Sequence, residues 1–265
     1  FDFKVRELKN EPTLQYIRDS WLMAMAEMDS EQRATWEAIY DKKNEEFLKN
    51  PPVGKDLLRW KYQRYVKEYC RTIRSVDEQV GRLLDYLEEK GVLDNTVIVY
   101  TSDQGFLLGE HGLYDKRFMY EESFRTPLII SCPSLVKKHS VCKELVQNID
   151  LAPTFLSLAG VEVPKEMSGR SLLPLFKNGK AENWRNELYY HFYDYPAVGS
   201  VRKHDGIRTK RYKLIHWHGE GSGNDEAIDF WELYDLKKDV MEVNNVYDNP
   251  KYVKVREALT VQLEK

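Results

Sequence analysis

A chain of 265 residues can bury a real core, as one large domain or as a large domain with a small one. Its net charge of −3 argues against a generic nucleic-acid binder and leaves room for a local anion site. No apolar run approaches membrane-spanning length, and the three cysteines, Cys70, Cys132 and Cys142, fit no zinc spacing and leave at least one free thiol.

The opening Phe-Asp-Phe carries no leader-like segment, so we expect a chain cut from something longer. Residues 1–50 are charged and aromatic and show no chemistry. Ile17, Trp21, Leu22 and Met25 fall at helical spacing. Asp29-Ser30 before Glu31-Gln32 is a helix start, continued over 34–48. Pro51, Pro52 and Gly54 punctuate the chain. The spacing of Leu58, Tyr62, Tyr65, Tyr69, Ile73, Val76, Val80, Leu83 and Leu87 then predicts one long helix over 55–90 with a continuous apolar stripe, read as core. Asp77 and Glu78 belong to its solvated side, and Gly91 suits the left-handed position after its end.

Residues 97–116, VIVYTSDQGFLLGEHGLYDK, are the most informative stretch. Val97-Ile98-Val99-Tyr100 predicts a buried strand of an α/β sheet. Open α/β sheets place ligands beyond the carboxyl ends of their strands. There stand Asp103 and Gln104, oxygen donors suited to a hard cation. Gly109-Glu110-His111-Gly112 and then Lys116-Arg117 follow within one loop. An anionic group held between a metal and a lysine is the simplest use of that layout. Taken alone, S-D-x-G after a strand is a turn in which the acid caps backbone amides.

Residues 126–133 predict a second buried strand, with Arg125 before it ordering backbone or carboxylates and Cys132 a buried structural thiol. Asp150 reads as a helix N-cap, with Pro153 in the first turn and Gly160 as the stop; 172–176 is a short helical turn against the core. After Gly179 the chain changes character. An aromatic strand covers 187–195, and a hairpin covers 205–217 with Arg208, Lys210, Arg211 and Lys213 as basic outward positions. A glycine-rich tip at 219–223, a strand over 231–236 and a helix over 250–265 follow, the helix turning Tyr252, Val255, Leu259 and Leu263 inward. Strands followed by a helix make residues 181–265 a small α+β subdomain. Residues 1–180 form the α/β part.

The strings SDQG, LGEHGLYDK, FRTPLII, NIDLAPTFLSLAGVEVP, GRSLLPLF, RTKRYKLI and ELYDLKKD, in this order and spacing, resemble the formylglycine-dependent sulfatases of the alkaline-phosphatase-like superfamily. The resemblance covers essentially the whole chain, but only the later part of a whole sulfatase. It implies part of an alkaline-phosphatase-like mixed sheet flanked by helices, plus a small subdomain with an antiparallel sheet and terminal helix. It implies that Asp103 and Gln104 belong to a Ca²⁺ site, the glutamine one methylene longer than the asparagine often found there. It implies that Lys116 holds the sulfate oxygens and that His111, in the G-E-H-G turn, is a catalytic residue that shapes the loop or meets the substrate. Arg117, His191, Arg202 and His204 are the expected substrate contacts, His204 foremost. A solvated basic edge that discourages strand pairing is the competing account of the last three. HFYDYPA and VRKHDGIRTKRYKLIHW resemble sulfatases acting on sulfated amino sugars and glycosaminoglycans.

In such enzymes a hydrated formylglycine aldehyde attacks sulfur and displaces the sugar alcohol. No segment here fits the C/S-x-P/A-x-R pattern that carries formylglycine. That group is therefore expected in a missing amino-terminal part, the Ca²⁺ site is incomplete, and this fragment alone should be inactive. The resemblance also implies a periplasmic, secreted or lysosomal protein with a sulfated carbohydrate as partner and neither nucleic acid nor membrane span. An exposed sheet edge would favour self-association. A phosphatase or phosphomutase of the same superfamily, a carbohydrate-binding module, and a folding fragment without activity are the alternatives.

Overall fold

In a computed structural model of the chain, the described residues are 23, 25–195, 201–221 and 226–264. Ile17, Trp21 and Leu22, expected in a helix, and part of the tip at 219–223 lie outside them. The chain divides into two compact units, Phe1–Asp85 and Tyr86–Lys265.

In the first unit, α1 (Ser30–Lys49) opens on a capping box: Gln32 N donates to Asp29 Oδ1 at 2.8 Å and Asp29 N to Gln32 Oε1 at 3.1 Å. The long helix is present as α2 (Gly54–Glu89). It runs antiparallel to α1, with Phe47 on Trp60 at 4.2 Å, Arg64 donating to Asn44 at 2.9 Å and Tyr40 to Glu68. The stripe expected to be core is not covered: no residue of α2 is buried, and Leu58 is 66% exposed. The physical reason within this unit is length, since α1 has 20 residues against 36 in α2 and meets only its first turns.

The second unit begins at Tyr86, on the last turn of α2. Gly91 takes the left-handed φ of +66° just past the helix end. Strand β1 (Ile98–Thr101) pairs antiparallel with β4 (Leu128–Ser131), Ile98 opposite Ser131, and the short β2 (Leu107–Leu108) and β3 (Tyr114–Asp115) pair with each other. Neither β1 nor β4 is buried on both faces as expected; Tyr100 and Ile129, opposite each other across the pair, share an exposed face, while the Leu128 and Ile130 face is packed. The inward residues Leu128 and Ile130 pack on Leu172, Leu175 and Phe176, beside α4 (Leu151–Leu158) and α5 (Leu173–Phe176). The one-turn helix α3 is Glu121–Phe124. Cys132 is buried, as expected of a structural thiol.

Asp150 precedes α4 but its side chain does not cap it. Fully buried, it accepts from Gln147 N and Arg170 N, both at 2.8 Å, and from both terminal nitrogens of Arg185, so it ties three loop segments together.

The carboxyl-terminal sheet has the order β5 (Glu187–Phe192), β6 (His204–Thr209), β7 (Tyr212–Gly219), β8 (Ile228–Asp235), all antiparallel. Helix α6 (Val253–Leu263) covers one face, with Leu259 against Ile207, Leu214 and Leu233. The other face packs Ile215, Trp217 and Tyr234 on Met119 of the loop before α3. Within it, Glu232 accepts from Trp217 Nε1 at 2.8 Å, Tyr234 Oη at 2.9 Å and Tyr120 Oη at 3.1 Å. Burial, and then the Glu232 charge, push both tyrosine pKa values up.

Two basic side chains read as outward-facing point inward. Lys213 is fully buried: its Nζ donates to Met119 O at 2.7 Å and lies 2.9 Å from Glu121 and 2.7 Å from Glu242. Arg208 pairs with Glu121 at 3.1 Å. Strand alternation decides this, since Lys213 shares its face with Ile215 and Trp217. Burial pushes the Glu121 carboxyl up, but Lys213 and Arg208 outweigh it and hold it below the ordinary value. For Glu242 burial wins and the pKa is raised. His204, also fully buried, lies against Tyr190, Phe192 and Trp217, its Nδ1 2.8 Å from Arg202 O. Burial lowers its pKa to about 4.

Lys213→Met leaves Glu242 buried without its cation, and urea denaturation should show a loss of about 3 kcal/mol; Lys213→Met/Glu242→Gln should recover part of it. The unfolded chain takes up a proton on His204 near pH 6.5 and the folded chain only near pH 4. Between those values the unfolded state holds more protons, so stability falls with falling pH, by at most about 3 kcal/mol from this residue. His204→Phe should flatten that part of the stability–pH curve.

Candidate active site

The tip of β1 is held by its neighbours. Thr101 Oγ1 donates to Pro127 O at 2.9 Å, and Asn148 Nδ2 donates to Ser102 O at 3.1 Å and Asp103 O at 2.9 Å. Asp103 Oδ1 accepts from Gln104 N at 2.9 Å, the turn geometry its sequence suggested. Gly105 N and Phe106 N then donate to Ser123 O and Glu122 O at 2.8 and 2.7 Å. That approach needs a glycine, because a Cβ on Gly105 would sit 2.0 Å from Glu122 O.

The following loop folds back on itself, Leu108 N donating to Glu110 Oε2 at 2.6 Å. His111, at φ 55°, stacks on Tyr120 at 4.3 Å and lies 3.5 Å from Glu122. Lys116 stands between two non-glycine residues with left-handed backbone, Asp115 at φ 81° and Arg117 at φ 92°. Such strain, about 1–3 kcal/mol each, persists only where surroundings over-determine it, and it clusters at functional sites. Here Tyr190 Oη donates to Arg117 O at 2.8 Å and the Arg117 side chain pairs with Asp115. Lys116 Nζ has neither hydrogen bond nor ion pair among the described residues.

Asp103, Gln104, Lys116 and Arg117 line one open cavity of about 1000 Å³. The other four expected site residues do not line it. His111 is turned to Tyr120 and Glu122. His191 hydrogen-bonds Tyr189 Oη at 2.8 Å and stacks on Tyr193 at 3.7 Å, and the Arg202 guanidinium lies 4.8 Å over the Tyr195 ring. His204 has no exposed surface in this chain and packs against Tyr190, Phe192 and Trp217.

The cavity also contains Arg125 and Asn148. Arg125, read as ordering backbone or carboxylates, has no carboxylate partner among the described residues. Asn148 was missed because its contact with Ser102 spans 46 positions and leaves no local pattern. As part of a cation site the donor set fits: a carboxylate and an amide oxygen at a strand tip suit a hard divalent ion, which takes about 6–8 oxygens. These two side chains would supply a minority of them.

No helix among the described residues is long and apolar enough to cross a membrane. Two family profiles match the chain, "Sulfatase" over residues 24–161 and "N-sulphoglucosamine sulphohydrolase, C-terminal" over residues 109–265. An N-acetylglucosamine-6-O-sulfatase of Bacteroides thetaiotaomicron is 46% identical over 99% of this chain and 46% of its own length. A multifunctional alkaline phosphatase superfamily protein, PehA, of Trinickia caryophylli is 35% identical over 69% of this chain and 36% of its own length. A solved structure of a protein in complex with its substrate, D-glucosamine-2-N,6-O-disulfate, superposes with a TM-score of 0.87 at 46% identity, covering 99% of this chain and 52% of the other. The chain thus spans about half the length of the first relative. With profiles covering both units and an extended match at this identity, the chain belongs to the sulfatase family of the alkaline-phosphatase-like superfamily.

Proposed function

We infer that this chain supplies one half of a sulfuric ester hydrolase acting on a sulfated amino sugar. The observation that carries the reading is the convergence of Asp103, Gln104, Lys116 and Arg117 on one cavity, in a chain 46% identical along its length to a glucosamine 6-O-sulfatase. The Lys116 ammonium is a compact charge without a partner among the described residues, suited to the peripheral oxygens of a sulfate, where negative charge gathers as the ester bond breaks. Arg117 and Arg125 add cationic donors to the same wall. Asp103 and Gln104 would hold Ca²⁺, which when bound neutralises sulfate oxygens. Asn148 keeps the Asp103 backbone in place for that task. His111 positions the loop that carries Lys116. The nucleophile is a formylglycine outside this chain. A periplasmic, secreted or lysosomal setting, where sulfated glycans are taken apart, is the location that goes with this reading.

The test is sulfate release from glucosamine 6-O-sulfate by a longer form of the protein that carries a formylglycine segment. It should turn over; the 265-residue chain alone should release none. In the longer form Lys116→Ala should lower kcat/KM by about 100- to 1000-fold, the scale for losing one oxyanion donor. Turnover of a phosphate monoester with the sulfate ester untouched would overturn the reading.

A further inference from the structure

On the α6 side of the carboxyl-terminal sheet, beyond the reach of its apolar cover, three side chains converge. Asp205 on β6 stands opposite His216 on β7, and His218 follows two positions on, so both imidazoles leave the same face. Asp205 Oδ1 lies 3.7 Å from His216 Nδ1 and 3.7 Å from His218 Nε2. One ligand atom from each residue falls within 4.8 Å of the others. None of the three lines the cavity that contains Lys116.

The hydrogen bonding around this cluster is unbalanced. His216 Nε2 lies 2.8 Å from Asp229 Oδ1, and a carboxylate accepts, so that nitrogen carries the proton. In the neutral ring, His216 Nδ1 is then a lone pair facing the Asp205 carboxylate. His218 Nε2 and Asp205 Oδ1 are both buried and have no hydrogen-bond partner among the described residues. A carboxylate oxygen and two imidazole nitrogens thus face one central point, and with His218 protonated on Nδ1 a cation there would satisfy all three. We propose that Asp205, His216 and His218 form a binding site for a divalent metal ion of the zinc type, separate from the sulfate site.

The chemistry and geometry agree with that class. Two imidazoles and one carboxylate are borderline donors that suit zinc and its late first-row neighbours rather than calcium. A tetrahedral ion with bonds of about 2.0–2.1 Å sets its ligand atoms roughly 3.3 Å apart, so contacts of 3.7 Å need only small side-chain shifts. Asp229 is the outer carboxylate that fixes the tautomer of a ligating histidine. Trp231, stacked on His216 at 3.8 Å, holds the ring orientation. A tetrahedral ion would leave its fourth position to a water or another small donor.

The experiment uses the 265-residue chain, stripped with a chelator. Zn²⁺ titration by calorimetry should give one saturable site that excess Ca²⁺ and Mg²⁺ leave alone. Asp205→Asn and His218→Gln should each weaken it about tenfold or more, while His139→Gln, at an exposed histidine outside the cluster, should not. A second readout needs no variant: Zn²⁺ should protect His216 and His218 from diethylpyrocarbonate, as mapped by mass spectrometry, and leave His139 reactive. Absence of saturable binding, binding unchanged in both cluster variants, or histidines equally reactive with and without Zn²⁺ would overturn the proposal.

Discussion

A fully buried ammonium group organises the second unit. Lys213 Nζ sits among Met119 O, Glu121 and Glu242, and Glu242 in turn accepts from Glu121 N at 2.6 Å. A buried charge is tolerable only when its partners are placed well enough to offset desolvation. Those partners come from the loop before α3, the first residue of α3 and the segment after β8, so the lysine can be satisfied only if these segments are docked on the sheet. Docking then fixes where residues 116 and 117 go.

The same loop carries the strain. Asp115 and Arg117 flank Lys116 in left-handed conformations that cost free energy unless the ends are held. One end is held by β2–β3 pairing, the other by Tyr190 on Arg117 O and by the packing of Met119 under Ile215. The sheet is thus the clamp on a cation that it does not itself carry. Another part of the cavity lining comes from the β1 tip, whose acid is held through its backbone by Asn148 and whose glycine admits the Glu122 carbonyl.

The two faces of the carboxyl-terminal sheet differ in kind. One buries an aromatic and ionic layer, Glu232 receiving Trp217, Tyr234 and Tyr120, with His204 kept neutral by burial. The other is apolar under α6 and turns polar at Asp205, His216 and His218, where the helix no longer covers it. Histidine therefore plays two unrelated roles on adjacent strands, set by which side of the pleat each one leaves.

What the amino-acid order alone determined is whatever repeats or is local. The period of α2, the helix start at Asp29, the left-handed Gly91, the strand after residue 97 and the inward residues of α6 were all legible, because each depends on neighbours within a few positions. Lys116 and the sulfatase strings were legible as a linear pattern. Tertiary structure decided the rest. It buried Lys213 and His204, withdrew Asp150 from capping to bind Arg185, left the α2 stripe and the outer faces of β1 and β4 uncovered, and brought Asn148 to Asp103. These outcomes turn on which face of a strand or helix meets a distant segment, and contacts across tens of residues leave no period in the chain from which to read them.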